Sequence, residues 1–380
     1  MKYLIELIQE ISSDFYLQLL LLFIGIFSTS LYLIPKIRIL ALGGKSQEQP
    51  NSRSSHSGLV PTFGGVAFYI SYIITLFFIQ FYDINQASLT LLASISILFF
   101  TGFLDDMRNL PARFKFLGQF IGVALLMFQP DFRILTLHGF MGIYEIPLYI
   151  SVFGSMFFLL GLINAFNLID GIDGLTAITG IIVASFYSFM FYKLGYNYYL
   201  LISTATIATL LAFLRFNFSI KRKIFMGDTG SLVVGLVLGM LTLKIMSSDS
   251  VYLALHFNQK QLPLFLVGVL FIPLLDTCRV MFIRAMKGVS MFKPDRNHIH
   301  HIIIDNGLSH RKASFLIGTV NFLVALIMFY VITNFNTVQS TFILLGIFAS
   351  SILFLFLINK NKAVLRKKIK IRNSMFKMFF

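Results

Sequence analysis

What most constrains this chain is a series of eleven apolar runs, each close to the thickness of a membrane in helical length. They cover residues 15–34, 62–82, 87–104, 116–129, 146–166, 175–192, 198–214, 230–246, 262–283, 313–333 and 338–358. A helix needs roughly 20 apolar residues to cross the hydrocarbon core, because lipid offers the backbone no hydrogen-bond partner. The runs explain why 57% of the residues are hydrophobic and only 12% charged, a balance that no ordinary soluble domain shows. The expected fold class is therefore all-α, a polytopic integral membrane protein with about eleven transmembrane helices. Three runs hold only about 14 uncharged residues before a charge or proline interrupts, so polar ends dip below the membrane surface there.

Basic residues then orient the chain, since cytoplasmic loops retain Lys and Arg. With the N-terminus outside, the outer side keeps Lys2, Arg133, Lys193, Lys244 and Lys260, and Arg279 lies within the ninth run; every other one of the 31 basic residues falls inside. The net charge of +15 is thus a topology signal, and nucleic acid is not an expected partner. Residues 1–14 carry three acids and no small-residue cleavage site, which reads as an interfacial segment. Residues 15–358 form one polytopic domain and 359–380 a basic cytoplasmic tail suited to anionic lipid. The single cysteine, Cys278, excludes an intrachain disulfide and a cysteine metal site.

Against this apolar background four polar clusters stand out, and all fall on the predicted inner face. Asp105 and Asp106 lie in "FLDDMRNLPARFKF", and Asn164, Asn167, Asp170 and Asp173 in "NAFNLIDGIDGL". Asp228 lies in "FMGDTGSL", and Arg296, His298, His300 and His301 in "KPDRNHIHH". At spacing three, the two Asn and two Asp of the second cluster are expected to share one side of a helix or tight turn, with Gly171 and Gly174 ending the regular helix. Asp228 reads equally as a helix cap or a metal ligand, while Thr229 and Ser231 can cap the eighth run. Carboxylates and carboxamides without cysteine suit a hard cation held through oxygen, most naturally Mg²⁺ with Mn²⁺ as a substitute. Zinc at the histidines is a poor fit, because no carboxylate or Cys lies at a familiar zinc spacing and the flanking cations oppose a dication. Phosphate and hydroxyl recognition suits them better.

The bilayer midplane is nearly bare. Only Asp276 and Arg279, three residues apart in the ninth run, place charge deep within a span, and they read as a structural ion pair. A transporter of nucleotide sugars needs ionisable groups near the midplane. This distribution favours an enzyme that takes a soluble substrate from the cytosol and a lipid substrate from the membrane.

Five stretches together, "RSSHSGLVPTFGG", "LDDMRNLPARFKFLGQ", "NAFNLIDGIDGL", "FMGDTGSL" and "FKPDRNHIHH", resemble the polyprenyl-phosphate N-acetylhexosamine-1-phosphate transferases, in that family's order and from about Arg53 to Lys312. The resemblance implies a reaction in which a UDP-N-acetylhexosamine gives its sugar 1-phosphate to undecaprenyl phosphate in a bacterial plasma membrane, leaving UMP. It implies Asp228 and Asn167 as Mg²⁺ ligands, Lys115 as the lipid-phosphate contact, and Asp105 or Asp106 as the group that orients or deprotonates the attacking phosphate. Asn164, Asp170, Asp173, Arg296, His298, His300 and His301 would meet the nucleotide sugar, with Arg53 and His56 in support and a homodimer as a further partner. The broken histidine pattern "HIHH" and the eleven runs resemble the GlcNAc-1-phosphate branch more than the phospho-MurNAc-pentapeptide translocase branch, the alternative within the family. A nucleotide-sugar transporter and a non-catalytic envelope scaffold are the alternatives outside it.

Overall fold

A computed structural model describes residues 14–42, 47–48, 60–79, 86–248, 257–290 and 297–379. The expectations for the N-terminal segment, apart from Asp14, and for Arg53, His56 and Arg296 lie outside the described residues. The helices are α1 (Phe15–Leu42), α2 (Gly65–Ile79), α3 (Gln86–Arg108), α4 (Ala112–Leu126), α5 (Leu148–Ile169), α6 (Leu175–Leu194) and α7 (Asn197–Asn217). They continue as α8 (Gly227–Met246), α9 (Leu262–Val269), α10 (Phe271–Met286), α11 (Ile299–Asp305), α12 (His310–Asn334) and α13 (Thr337–Phe379). Among the described residues the only strands are the two-residue β1 (Gln47–Glu48) and β2 (Val60–Pro61), paired antiparallel. The fold is all-α and membrane-like.

Every apolar run contains helix, but fewer than the expected eleven or so reach span length. Among the described residues eight helices are long and apolar enough to cross, namely α1, α3, α5, α6, α7, α8, α12 and the first part of α13, or nine if α9 and α10 form one broken span. Two runs yield helices of only 15 residues, α2 and α4. At 1.5 Å per residue that is roughly 22 Å, short of the hydrocarbon core. The run at 262–283 breaks at Leu270, where the axis turns by 74°. A break in lipid strands backbone groups, and here Asn321 of α12, fully buried, repairs them. Its amide donates to the Val269 carbonyl at 3.0 Å and its carbonyl accepts from the Ile272 N–H at 2.9 Å.

At the centre stands α8, with 94% of its membrane-length window buried against neighbours that include α2, α3, α5 and α6. Its sequence, "GDTGSLVVGLVLGMLTLKIM", is apolar on every face, as a helix enclosed on all sides must be. Gly235 and Gly239, one turn apart, admit α5: a Cβ there would lie 2.8 Å from the Ile163 Cα or 2.7 Å from a Leu159 methyl. Buried hydroxyl pairs tie other helices together, Tyr187 to Thr242 at 2.6 Å and Tyr72 to Thr206 at 3.0 Å. The antiparallel succession brings the C-terminal ends of α3, α5, α7 and α10 to the same end of the bundle as the N-terminal ends of α4, α6, α8 and α12.

Candidate active site

The chain enters α8 through Gly227, whose φ of +69° only glycine adopts without strain and whose Cβ would strike the Thr62 carbonyl at 2.1 Å. The preceding residues are stitched to the "VPTFGG" stretch: the Phe225 N–H donates to the Pro61 carbonyl at 2.8 Å, and the Gly64 N–H to the Phe225 carbonyl at 2.9 Å. The cap of α8 comes from another helix. Asp106, at the end of α3, accepts the Asp228 N–H at 2.9 Å, the Thr229 N–H at 3.0 Å and the Thr229 hydroxyl. The expectation that Thr229 and Ser231 cap this helix is therefore corrected. Thr229 donates to Asp106, and the Ser231 hydroxyl accepts the Asn167 amide at 2.9 Å.

With Asp106 capping α8, the Asp228 side chain is free to turn outward. Lys115, in the first turn of α4, places its ammonium against Asp228 Oδ2, Asp105 Oδ2 at 3.2 Å and Asn167 Oδ1 at 3.4 Å. The Asn167 amide also donates to Asp228 Oδ1 at 2.7 Å. Four helix ends thus meet at one nitrogen. Asp105 is anchored by the Leu110 N–H on its other oxygen at 2.7 Å, so the sharp "RNLPA" turn returns Lys115 to the acid it follows. Asp105, Lys115 and Asp228 side chains remain about one-fifth exposed, within reach of a ligand.

The second cluster divides instead of lining one face. α5 runs on to Ile169, so Asn164 and Asn167 are helical, Asp170 is the C-terminal cap residue and Asp173 lies in the turn to α6. Asn164 pairs with Gln119 of α4, its amide donating at 2.9 Å and its carbonyl accepting at 3.4 Å. Gln119, 1% exposed, was not singled out in the sequence; only its place one helical turn past Lys115 could have pointed to it. Asp173 is held by Lys223 at 2.6 Å, and its carbonyl accepts the Ser314 hydroxyl at 2.6 Å. The three-residue spacing fails as one face because the helix ends between Asn167 and Asp173.

The histidines come to this turn from α11. A Cβ on Gly171 would lie 2.2 Å from His300 Nε2, so glycine is what lets the imidazole reach "LIDGIDG". The rings of His300 and His301 are 4.2 Å apart, centroid to centroid. Among the described residues neither His300 nitrogen has a hydrogen-bond partner. Burial first, and then the neighbouring His301, push its pKa down to about 3. His298 faces Asp276 of α10 at 2.8 Å, so that acid is not simply the partner of Arg279.

Among the described residues no three His, Cys, Asp or Glu side chains gather as a metal cluster. Two carboxylates and an amide oxygen do converge, and a cation, the Lys115 ammonium, already lies among them. Such a set suits a hard dication that completes its shell with substrate oxygens.

Fold and site define a polytopic membrane enzyme whose polar centre lies where helix ends meet. Residues 88–246, which contain Asp105, Asp106, Lys115, Asn167 and Asp228, match the model of Glycosyl transferase family 4, an enzymatic family. The chain is 29% identical over 315 residues, 81% of its length and 83% of the relative's, to the probable undecaprenyl-phosphate N-acetylglucosaminyl 1-phosphate transferase of Bacillus subtilis. It is 29% identical to the undecaprenyl-phosphate alpha-N-acetylglucosaminyl 1-phosphate transferases of Yersinia pestis, over 81% of the chain and 82% of the relative, and of Escherichia coli O157:H7, over 71% and 72%. The match to glycosyl transferase family 4 is confined to residues 88–246, while the similarity to the named transferases extends across most of the chain.

Proposed function

We propose that the protein transfers GlcNAc 1-phosphate, or a related N-acetylhexosamine 1-phosphate, from a UDP-sugar to undecaprenyl phosphate, with Mg²⁺ as cofactor and the site facing the cytoplasm. The product would be a lipid pyrophosphoryl sugar, formed at the first membrane step of a cell-envelope polysaccharide. The convergence of Asp105, Asn167 and Asp228 on the Lys115 ammonium carries this reading. The names of the relatives support the acceptor and the transferred group.

Two polyanions must meet, and their repulsion is the first barrier. Asp228 and Asn167, with Asp105 beside them, would hold Mg²⁺, which supplies positive charge to the phosphates of the donor. Lys115 holds the acceptor phosphate and Asp105 orients it. An oxygen of that phosphate attacks the phosphorus nearest the sugar, the bond to UMP breaks and UMP leaves. A phosphate monoester is largely ionised at neutral pH, so positioning and electrostatics outweigh proton abstraction. Asp106 acts on the reaction through α8, by fixing the helix end that carries Asp228. Asn164 and Gln119 hold α5 to α4, and so keep Asn167 opposite Lys115. The histidines meet the nucleotide sugar beside Asp170, while Asp173 and Lys223 brace that wall.

Purified protein in detergent should release UMP from UDP-GlcNAc only when both Mg²⁺ and undecaprenyl phosphate are present, and a panel of UDP-sugars should identify the donor. Uptake of intact UDP-sugar into vesicles without UMP would instead establish a transporter. Release of UMP without the lipid acceptor would also refute the proposal.

A further inference from the structure

Asp276 and Arg279 look in the sequence like a buried ion pair that neutralises itself. Their contact is the loosest either side chain makes, 3.5 Å between Arg279 Nη2 and Asp276 Oδ1. The closer contacts reach across to residues 297–299. Asp276 Oδ1 accepts the Ile299 N–H at 2.8 Å, Asp276 Oδ2 faces His298 Nδ1 at 2.8 Å, and Arg279 donates to the Asn297 carbonyl. Asp276 is 1% exposed, so water offers its carboxylate no alternative partner. The break at Leu270 places the acid there, since it turns α10 by 74° from α9, and Asn321 satisfies the backbone at the turn.

We infer that Asp276 is a positioning residue for the transfer reaction. Its carboxylate is acceptor-only, so the facing His298 Nδ1 carries the proton and Nε2 is the atom turned toward the sugar nucleotide. The second oxygen fixes the start of α11, so that His298, His300 and His301 are presented together. Arg279 holds the residue before His298. Orientation of a reactive imidazole by a buried carboxylate is worth about 10- to 100-fold in related second-layer arrangements. This inference rests on the reading of His298 as a residue that meets the donor.

Asp276→Asn is the sharpest probe, because it preserves shape while reversing the hydrogen bond. Its carbonyl can still accept the Ile299 N–H, which leaves its NH₂ facing His298 Nδ1 and forces the proton to Nε2. In ¹⁵N-histidine-labelled protein in detergent, with the signal assigned by His298→Gln, the wild type should show protonated Nδ1 and the variant protonated Nε2. The thermal midpoint should stay near that of the wild type, kcat for UMP release should fall about 10- to 100-fold with little change in KM, and in a His298→Ala background the substitution should cost almost nothing further. A wild-type ring protonated at Nε2 would overturn the inference, as would an unchanged kcat in folded Asp276→Asn or an equal loss without His298. Should the wild type release no UMP at all, the proposed reaction fails, while the ring spectrum still decides whether Asp276 sets the imidazole.

Discussion

The two ends of α8 hold similar kinds of polar group and settle their charge differently. At the Gly227 end two carboxylates, Asp105 and Asp228, share a single ammonium, Lys115, a third, Asp106, caps the helix, and among the described residues neither ring nitrogen of buried His300 has a hydrogen-bond partner. At the Met246 end, roughly 30 Å away along a helix of this length, Lys244 meets Asp131 at 2.9 Å, and the Tyr199 hydroxyl donates to the same carboxylate at 3.1 Å. The Ser247 hydroxyl donates to the Asp131 carbonyl at 2.9 Å. Both ring nitrogens of His138 are engaged, by the Met246 carbonyl at 2.8 Å and the Gln259 amide at 2.9 Å. The acid and Lys244 pair directly there, and the bonds latch the loop after α4 onto the end of α8. The other end keeps an excess of negative charge and an unsatisfied ring. Balance marks a structural latch, and imbalance marks a site whose missing partners are ligands.

The largest effect expected from this contrast is on Asp228. Asp228→Asn keeps the shape of the side chain and removes the charge, so UMP release should fall by on the order of 10³-fold while the thermal midpoint in detergent stays close to that of the wild type. Lys115→Met should also lower turnover, by about 10²-fold, and the double variant should be no worse than the poorer single one, because both act on one cluster. Retention of most activity by folded Asp228→Asn would break the comparison at its stronger end.

A pair of glycines tests the same contrast through the backbone. Gly227 and Gly195 have nearly the same φ, +69° and +70°. A Cβ at Gly195, at the C-terminal cap of α6, would meet nothing within 4 Å, whereas at Gly227 it would lie 2.4 Å from Asp106 Oδ2 and 2.1 Å from the Thr62 carbonyl. Gly195→Ala should therefore cost only the left-handed strain, about 1–2 kcal/mol, with turnover unchanged. Gly227→Ala should cost more in the thermal midpoint and also abolish most UMP release, because Asp106 must move and α8 loses its cap. Equal losses in the two variants would mean that the α8 entrance is no more crowded than an ordinary helix end.

How far these features can be read from sequence depends on distance along the chain. The helices were legible because lipid forces every apolar run to satisfy its own backbone. The acids of "LDDMRNLPARFK" and "MGDTGSL" stood out because charge is rare in such a chain. Their division of labour did not: adjacent residues on a helix point about 100° apart, so Asp105 meets Lys115 while Asp106 caps α8, and only the packing of α3 on α8 decides which does which. The break at Leu270 was hidden within a continuous apolar run, its repair resting on Asn321, about fifty residues later. The contact of Asp276 with His298 crosses that break, so the nearer Arg279 looked like the partner.

Acid should separate the two ends more gently than substitution. His300 stays neutral down to about pH 3 in the folded protein because it is buried, whereas an unfolded histidine gains its proton below about 6.5. Below 6.5 the unfolded state thus binds more protons, and this contribution lowers stability as pH falls, by about 1 kcal/mol at pH 5.5. The thermal midpoint of the wild type should drop between pH 7.5 and 5.5, and His300→Gln, which cannot titrate, should drop less. An identical decline in both would show that the ring is not held away from protons.

The smallest effect belongs to the Met246 end. Asp131 is half exposed, so water already solvates part of its charge, and the Lys244–Asp131 pair is worth no more than about 1 kcal/mol. Lys244 also lies 5.0 Å from the Tyr196 ring centroid and 5.2 Å from that of Tyr199, contacts that a methionine stem largely preserves. Lys244→Met should therefore move the thermal midpoint by only a few degrees at most and leave both kcat and the KM for UDP-GlcNAc unchanged. Because α8 is buried along nearly its whole length, a change in turnover here would require the helix to transmit displacement from one end to the other. Such a change would replace the picture of a passive latch with one of mechanical coupling through α8.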